Sequence, residues 1–285
     1  MTPHIGKLGI WSMEARFADP TLIAEAAGEI EALGYGALWV PGGIGGDITG
    51  DLDRLLDATR HITIATGIIN IWKHEPAELA AWWRHQDAAR RARLLLGLGI
   101  SHGPLIGEAW GKPIATTRAY VAELTGLGVP AENLCLAALG PKMIELARDV
   151  TAGAHPYLVT PEHSQRARAI LGTGKLLAPE QGVILEQNRQ KAREMALAAL
   201  AHYRQLPNYR NSWLRLGITE TDIDEGSDHL LDALFAIGGV DAAAQRVRAH
   251  WAAGADHVCL QVVTAQPMDL AAASEGWRAL ARALI

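Results

Sequence analysis

Short apolar runs recur along the chain, each ending in a polar turn that leads into an amphipathic stretch. The clearest run is Ile62–Ile69, which ends at Asn70, Ile71 and Trp72 and precedes a helix that Pro76 opens. An apolar run without alternation predicts a strand covered on both faces, as in a parallel sheet. Ligands of parallel α/β folds bind just past the carboxyl ends of such strands, so this turn is the first candidate site.

The same pattern predicts eight strands alternating with helices, and the seventh strand is expected in two pieces broken by Pro179 and Gly182. This alternation, without a break in composition, predicts an α/β fold, a (β/α)8 TIM barrel in one domain over residues 1–285. A doubly wound open sheet is the alternative. The predicted strands are Lys7–Ser12, Ile62–Ile69, Ala37–Val40, Leu94–Ile100, Leu134–Leu139, Gly153–Val159, Leu176–Leu185 and His257–Val263.

The largest irregularity is extra helical sequence before the last strand, placed at about residues 207–237. A long helix is predicted over Glu186–Leu206, irregular or short helical structure over Pro207–Glu225, and a helix over Ser227–Ile237. Earlier in the chain, one helix is predicted over Pro76–Ala92.

Composition is that of a globular domain, with 49% hydrophobic and 20% charged residues, a net charge of −5 and a pI of about 6.1. The acidic balance argues against nucleic acid as the main partner. No apolar run approaches the roughly 20 residues of a membrane span. Cys135 and Cys259 lie in apolar runs, so buried inert thiols are expected, and with no signal-peptide pattern the predicted location is the cytoplasm.

The predicted carboxyl-end rim is apolar and aromatic, with a few amide, hydroxyl and imidazole groups. It lacks the carboxylate cluster that a hard cation needs and a lysine for a Schiff base, so no metal is expected. Trp11 and Trp72 are expected over the mouth, where a flat ring suits an aromatic cofactor. The candidate substrate pocket is Trp11, Glu14, Trp72 and Ser101.

Two segments are candidates for a phosphate site. Gly172–Lys175, GTGK, follows a helix and precedes a strand, the reverse of a P-loop, so a helix-capping turn is expected there. In Ala137–Lys142, AALGPK, Gly140 permits a tight turn and Pro141 opens a helix whose positive end would face an anion. An ordinary strand–helix turn remains the alternative for this second segment.

His102, at the end of the fourth predicted strand, is the candidate proton-transfer residue because an imidazole titrates near neutral pH. A hydrogen-bonding or packing role is the alternative.

Four segments together carry a resemblance to the bacterial-luciferase-like superfamily of flavin and deazaflavin enzymes: TGIINIWKHEPAELA, LLLGLGISHG, AALGPKMIELA and AGADHVCLQVV. AHPYLVTPEHSQRAR and LAPEQGVILE are most similar to its coenzyme F420-dependent oxidoreductases. The resemblance implies a (β/α)8 barrel that binds a reduced deazaflavin at its carboxyl end, a small-molecule substrate and a homodimer. The residues that it implies for the cofactor are Asn70, Ile71, Ala137, Ala138, Leu139, Gly140, Pro141, Tyr157, Thr160 and His163.

In relatives, a non-proline cis peptide lies behind the central ring at the end of the third strand, and the matching bond is expected at Asn70–Ile71. The chain departs from the pattern after the second strand, where several relatives have an acid and a histidine and this chain has Pro41-Gly42-Gly43. His102 stands where some relatives have a glutamate.

Three functions follow as hypotheses. The first is an F420-dependent oxidoreductase that moves a hydride between deazaflavin C5 and a small organic substrate. The second is an FMN-dependent monooxygenase on the same fold. The third, which the missing acid keeps open, is a non-catalytic barrel that binds the cofactor or a partner.

Overall fold

The computed structural model describes residues 3–43 and 45–285, without the side chains of residues 104, 105, 108 and 109. This part of the chain contains ten strands, which form one sheet with parallel pairing throughout. They are Leu8–Trp11 (β1), Ala37–Gly42 (β2), Thr63–Asn70 (β3), Leu94–Gly99 (β4), Leu134–Leu136 (β5), Gly153–Ala154 (β6), Leu176–Leu177 (β7), Glu180–Ile184 (β8), Phe235–Ile237 (β9) and Val258–Val262 (β10).

The sheet closes into a barrel through the segment that holds β7 and β8. β7 pairs with β6, whereas β8 pairs with β10, and β10 pairs with β1. The break between them is at Ala178-Pro179, as the sequence predicts, but Gly182 continues β8. Because Glu180 N still donates to Pro156 O at 2.8 Å, the ring is continuous past the break. The predicted (β/α)8 barrel is therefore confirmed, with β9 added at the edge of β8.

The helices lie between successive strands, and several begin at a proline or a capping residue that the sequence shows. Prolines 20, 76, 141 and 161 each open a helix, and Thr160 caps the last of these helices by accepting from His163 N. No helix in the described ranges is both long and apolar enough to cross a bilayer. The helices are Glu14–Phe17 (α1), Pro20–Ala32 (α2), Ile48–Ala58 (α3), Pro76–His85 (α4), Ala88–Arg91 (α5), Gly103–Ile106 (α6), Pro113–Gly126 (α7), Pro141–Val150 (α8), Pro161–Leu171 (α9), Arg189–Leu200 (α10), Pro207–Arg215 (α11), Glu220–Glu225 (α12), Asp228–Leu234 (α13), Val240–Ala252 (α14) and Leu270–Leu284 (α15).

The buried apolar residues form three clusters, which lie outside the strands, inside the barrel and over part of its mouth. The largest lies between the strands and the outer helices. A small interior cluster includes Trp11, Trp39, Cys135 and Cys259, and both cysteines are buried and free, as predicted. The third cluster joins α10–α13 to the strand ends through Leu158, Ile184 and Phe235 and covers part of the barrel mouth.

Several predicted element bounds are wrong. The single helix over Pro76–Ala92 is two helices, α4 and α5, because Gln86 and Asp87 are extended and the Asp87 side chain caps the second. The helix predicted over Ser227–Ile237 ends at Leu234, where the chain enters β9, since Phe235 packs into the third cluster. The helix over Glu186–Leu206 is shorter, as α10 ends at Leu200.

The cis peptide bond expected at Asn70–Ile71 lies three residues earlier, at Gly67–Ile68. The pairing register of β3 shifts in the same place, between Ala65 and Ile69 against β4. β3 then continues to Asn70, so the expectation was wrong in assigning the irregular bond to the strand's last residue rather than to its middle.

Candidate functional site

The barrel mouth is lined by aromatic side chains from four separate elements. The Tyr157 ring, just past β6, lies 5.6 Å from the Trp11 ring of β1 and 5.4 Å from that of Tyr203, in the turn after α10. Tyr209 of α11 lies 5.0 Å from Tyr203 and 5.6 Å from His102, past β4. Rings from β1, β6, β4 and the covering helices thus meet across the mouth, and Tyr157, Tyr203 and His102 are partly exposed there.

His102 is attached to the covering helices by a hydrogen bond. Its Nδ1 lies 3.1 Å from Asn208 Oδ1 of α11. Since an amide oxygen only accepts, Nδ1 carries the proton and Nε2 is left with a free electron pair. Burial lowers the pKa of His102, and the bond to Asn208 opposes that shift, so the imidazole is neutral at pH 7.

The residues that end β3 are mostly occupied with packing. Asn70 and Ile71 are buried, and Asn70 Oδ1 accepts from Trp72 N at 3.0 Å, which shapes the turn. Trp72 Nε1 donates to Ile100 O at 2.8 Å, and the ring packs against the cluster outside the strands. Ser101, next in the chain, is partly exposed with a positive φ of 65°.

The end of β1 presents one aromatic wall and one buried carboxyl group. Trp11 is buried inside the barrel, and its Nε1 donates to Gly67 O at 3.1 Å. Glu14 is 9% exposed and accepts from Ser12 Oγ at 2.7 Å. The Glu14 carboxylate is therefore held near the rim by its neighbour.

The glycine-rich turn after β2 is held by a buried arginine. Arg16 Nε donates to Asp51 Oδ2 at 2.7 Å, and its other nitrogens donate to Pro41 O and Gly45 O. The Arg16 side chain has no exposed area. It fixes the backbone of this turn at Pro41 and at Gly45.

The segment Ala137–Pro141 leads into α8 and forms a positively charged corner. The N-cap residue, Gly140, gives no side-chain cap. Pro141 has no N–H and Met143 N donates to Gly140 O at 3.1 Å, so the Lys142 amide is the one left for a ligand in the first turn. A Cβ built at Gly140 would lie 3.8 Å from Arg215 Nη2, and Arg166 Nη1 donates to Arg215 O at 2.5 Å. Neither guanidinium forms an ion pair with a carboxylate among the described residues.

His163 lies in the same corner, below the surface. Its Nε2 donates to Leu139 O at 2.9 Å, while its buried Nδ1 has no partner within the described residues. Burial lowers the pKa of His163 to about 4, so the ring is neutral and offers an acceptor. Thr160, the N-cap residue of α9, accepts from the backbone N–H of His163.

Several residues of the mouth were not predicted from the sequence. Asn208, Tyr203, Tyr209 and Arg215 belong to helical sequence whose position over the barrel has no local signal. The sequence does carry a local signal for Glu180, because this carboxyl residue stands at the start of an apolar strand. A carboxyl group inside a barrel has to be paired or neutral.

The closed parallel ring with helices between its strands is a (β/α)8 barrel with an aromatic mouth and a charged corner at α8. A solved F420-dependent secondary alcohol dehydrogenase, in complex with an F420-acetone adduct, is similar over 100% of both chains, with a TM-score of 0.73 and 15% identity. The F420-dependent tetrahydromethanopterin reductase of Methanopyrus kandleri is similar over 100% of this chain and 99% of its own, with a TM-score of 0.70 and 14% identity.

An FMN-bound protein has nearly the same likeness. It is the oxygenating constituent of 3,6-diketocamphane monooxygenase from Pseudomonas putida, which covers 99% of both chains with a TM-score of 0.68 and 14% identity. These structures confirm the luciferase-like fold predicted from the sequence. No family model and no curated protein sequence matches the chain.

Proposed function

We propose that the protein is an F420-dependent oxidoreductase that transfers a hydride between deazaflavin C5 and a small organic substrate. The observation that carries this proposal is the combination of an aromatic mouth with a positively charged corner at the start of α8. A phosphorylated cofactor with a flat tricyclic ring needs an aromatic surface for its ring and positive charge for its phosphate. The likeness to two F420-dependent enzymes supports the same conclusion.

The residues of the mouth fit such a cofactor. The Lys142 amide at the start of α8 and the guanidinium of Arg215 would hold its phosphate, and the acceptor-only His163 Nδ1 would meet a hydroxyl of its side chain. Ala137–Leu139 supply small or apolar surface between these groups and the rings of Trp11 and Tyr157. Asn70 and Ile71 would support the ring from below by fixing the end of β3.

A bound deazaflavin would accept the hydride when an alcohol is oxidised and supply it, in its reduced form, when a carbonyl compound is reduced. The chain supplies proton handling and shelter from water. His102 Nε2 accepts the hydroxyl proton when an alcohol is oxidised, since Nδ1 is committed to Asn208. Tyr203, in the turn after α10, and Tyr209 of α11 cover the mouth and would exclude water from the reacting atoms.

The aromatic lining favours a small, largely hydrophobic substrate, with Trp11, Glu14 and Ser101 as the proposed pocket residues. Trp72, predicted for the same pocket, packs against the cluster outside the strands instead. The partly exposed Ser101 and Tyr157 hydroxyls would orient its oxygen.

An FMN-dependent monooxygenase is the alternative, supported by the likeness to the FMN-bound structure. A non-catalytic barrel that binds the cofactor or a partner protein is the second alternative, because Pro41-Gly42-Gly43 replaces the acid of related enzymes.

Titration of the purified protein with F420 and with FMN, followed by cofactor fluorescence, separates these three functions. Micromolar binding of F420 and anaerobic reduction of bound F420 by a panel of small secondary alcohols are the expected results. Binding of FMN alone would replace the proposal with the monooxygenase, and binding of neither would favour the non-catalytic barrel. The predicted homodimer is tested by sedimentation equilibrium of the same sample.

A further inference from the structure

Asn208 lies in the first turn of α11, and its side chain does not cap that helix. The N-cap position belongs to Leu206, which offers no side-chain cap. A carboxylate would suit the positive end of a helix better than an amide does. Within the described residues, the hydrogen bond of the Asn208 side chain goes to His102, 106 positions earlier in the chain. The residue therefore serves a contact outside its own helix.

Two neighbouring residues of α11 hold the imidazole of His102. Asn208 Oδ1 lies 3.1 Å from its Nδ1, and the Tyr209 ring lies 5.6 Å from the imidazole at a tilt of 52°. The hydrogen bond decides which ring nitrogen carries the proton, and the ring contact restricts the orientation of the imidazole. One turn of one helix thus sets both the position of His102 and its tautomer.

α11 is itself anchored to the barrel independently of this contact. Trp213 is fully buried, and its Nε1 donates to Leu158 O, just past β6, at 3.0 Å. Tyr209 and Trp213 lie one turn apart on the same face of the helix, with their rings 5.8 Å apart. Asn208 is therefore held in place before a substrate binds, which is the condition for a preorganised contact.

Asn208 is an uncharged partner for the imidazole. The titratable groups that face His102 are Tyr209 of α11 and His202, in the turn after α10, and a positive charge on His202 would lower the pKa of His102. No carboxylate in the described ranges forms an ion pair with the imidazole. A carboxylate in place of the amide would stabilise the imidazolium, which has no free electron pair. The amide accepts the same proton without that effect.

We propose that Asn208 is a positioning residue that keeps His102 in the Nδ1–H tautomer, so that its unprotonated Nε2 is the hydrogen-bond acceptor at the mouth. The use of that acceptor in catalysis rests on the proposed function. The substrate group that meets Nε2 must be a donor. An alcohol hydroxyl therefore binds to the neutral ring, whereas a carbonyl oxygen requires the imidazolium.

The proton balance of the reaction follows from this tautomer. When a secondary alcohol is oxidised, its C–H bond gives a hydride to the oxidised deazaflavin, and its O–H proton moves to His102 Nε2. The imidazolium keeps its Nδ1 proton on Asn208 Oδ1 and releases the Nε2 proton to solvent. In the reverse direction the imidazolium returns that proton to the carbonyl oxygen.

The tautomer is measured without any cofactor, by nitrogen-15 NMR of the histidine side chains at pH 7. The His102 signals are those missing from His102→Gln. They should show a protonated Nδ1 in the unaltered protein and a shift toward a protonated Nε2 in Asn208→Leu, which removes the acceptor. Asn211→Leu, the same substitution at an exposed position of α11, is the matched control and should keep Nδ1 protonated. A protonated Nε2 in the unaltered protein, or an unchanged tautomer in Asn208→Leu, would overturn the proposal.

The consequence for catalysis is measured on the F420-loaded protein, as the rate of hydride transfer from whichever secondary alcohol of a panel is oxidised. Asn208→Leu should slow transfer about 10²-fold without weakening F420 binding, and Asn211→Leu should not. Asn208→Asp keeps the acceptor but stabilises the imidazolium, so the rate should begin to fall at a higher pH and be restored under alkaline conditions. A contact that merely ties α11 to the barrel would not move this pH dependence.

Asn208→Asp also keeps the test open if Asn208→Leu does not fold, because an acid suits the first turn of a helix. An unchanged rate in Asn208→Leu together with an unchanged pH dependence in Asn208→Asp would overturn the catalytic part of the proposal. Failure of the chain to bind F420 would instead refute the proposed function, and the NMR measurement would then decide the role of Asn208 alone.

Discussion

At the scale of single residues, the mouth depends on how two titratable groups are kept neutral. His102 is neutral because burial lowers its pKa, and the bond to Asn208 turns its free electron pair away from α11. Glu180 is neutral for the same reason acting on an acid, where burial raises the pKa. Both groups are therefore uncharged at neutral pH, although one is a base and the other an acid.

His102→Gln should lower the rate of hydride transfer by roughly 10²- to 10⁴-fold with little change in F420 affinity, because the amide keeps a donor for Asn208 but cannot titrate. The rate is measured by the absorbance change of bound F420. His61→Gln, with an exposed side chain, is the control. An unchanged rate in His102→Gln would assign His102 to packing alone.

At the scale of elements, the start of α8 should decide cofactor affinity. Gly140→Asp places an anion beside Arg215 and at the positive helix end, where the phosphate is expected, so F420 affinity should fall at least about tenfold, or 1.4 kcal/mol. Fluorescence titration measures it. Gly126→Asp, the same substitution at an exposed position of α7, should bind F420 like the unaltered protein. Equal affinity of Gly140→Asp would count against this placement of the phosphate.

The close approach of β3 to β4 leads to a prediction for stability. A Cβ at Gly97 would lie 2.0 Å from Thr66 O, so Gly97→Ala forces the two strands apart. We expect a loss of about 1–3 kcal/mol in the free energy of unfolding, measured with urea. Gly126→Ala, which meets no atom within 4 Å, should be neutral or slightly stabilising. Equal stability of the two variants would show that the strands adjust without cost.

The sequence predicts elements better than it predicts their ends and junctions. The apolar runs identify the strands that form the ring, and Pro179 correctly marks the break in the seventh, because these signals are local. β9 was predicted as helix, since FAI is apolar in either structure and only packing against Gly182 decides. The partners of His102 could not be predicted for the same reason: Asn208 is 106 positions away along the chain.

At the scale of the whole molecule, buried histidines make the fold sensitive to acid. Burial lowers the pKa of His155, His163 and His257 to about 4 and that of His250 to about 3. The unfolded chain, with histidine pKa values near 6.5, therefore binds more protons below pH 7, and stability falls as the pH falls. Each of these histidines lowers the free energy of unfolding by about 2 kcal/mol between pH 7 and pH 5.

Glu180 acts in the opposite direction over the same range, because its raised pKa keeps a proton in the folded state. Its protonation adds about 3 kcal/mol to the free energy of unfolding between pH 7 and pH 5, so the net loss over this interval is on the order of 5 kcal/mol. Urea unfolding at pH 7 and pH 5 measures it. Glu180→Gln should lose more stability than the unaltered protein over this interval, and an equal loss would contradict a raised pKa of Glu180.

The pairing of β1 with β10 has a consequence for how the chain is made. Leu8–Trp11 finds one of its two neighbours only in Val258–Val262, near the other end of the sequence. During synthesis the first strand therefore has an open edge until Val258–Val262 has left the ribosome, and an open edge can pair with another nascent chain. Rapid synthesis should therefore favour aggregation unless a chaperone covers that edge.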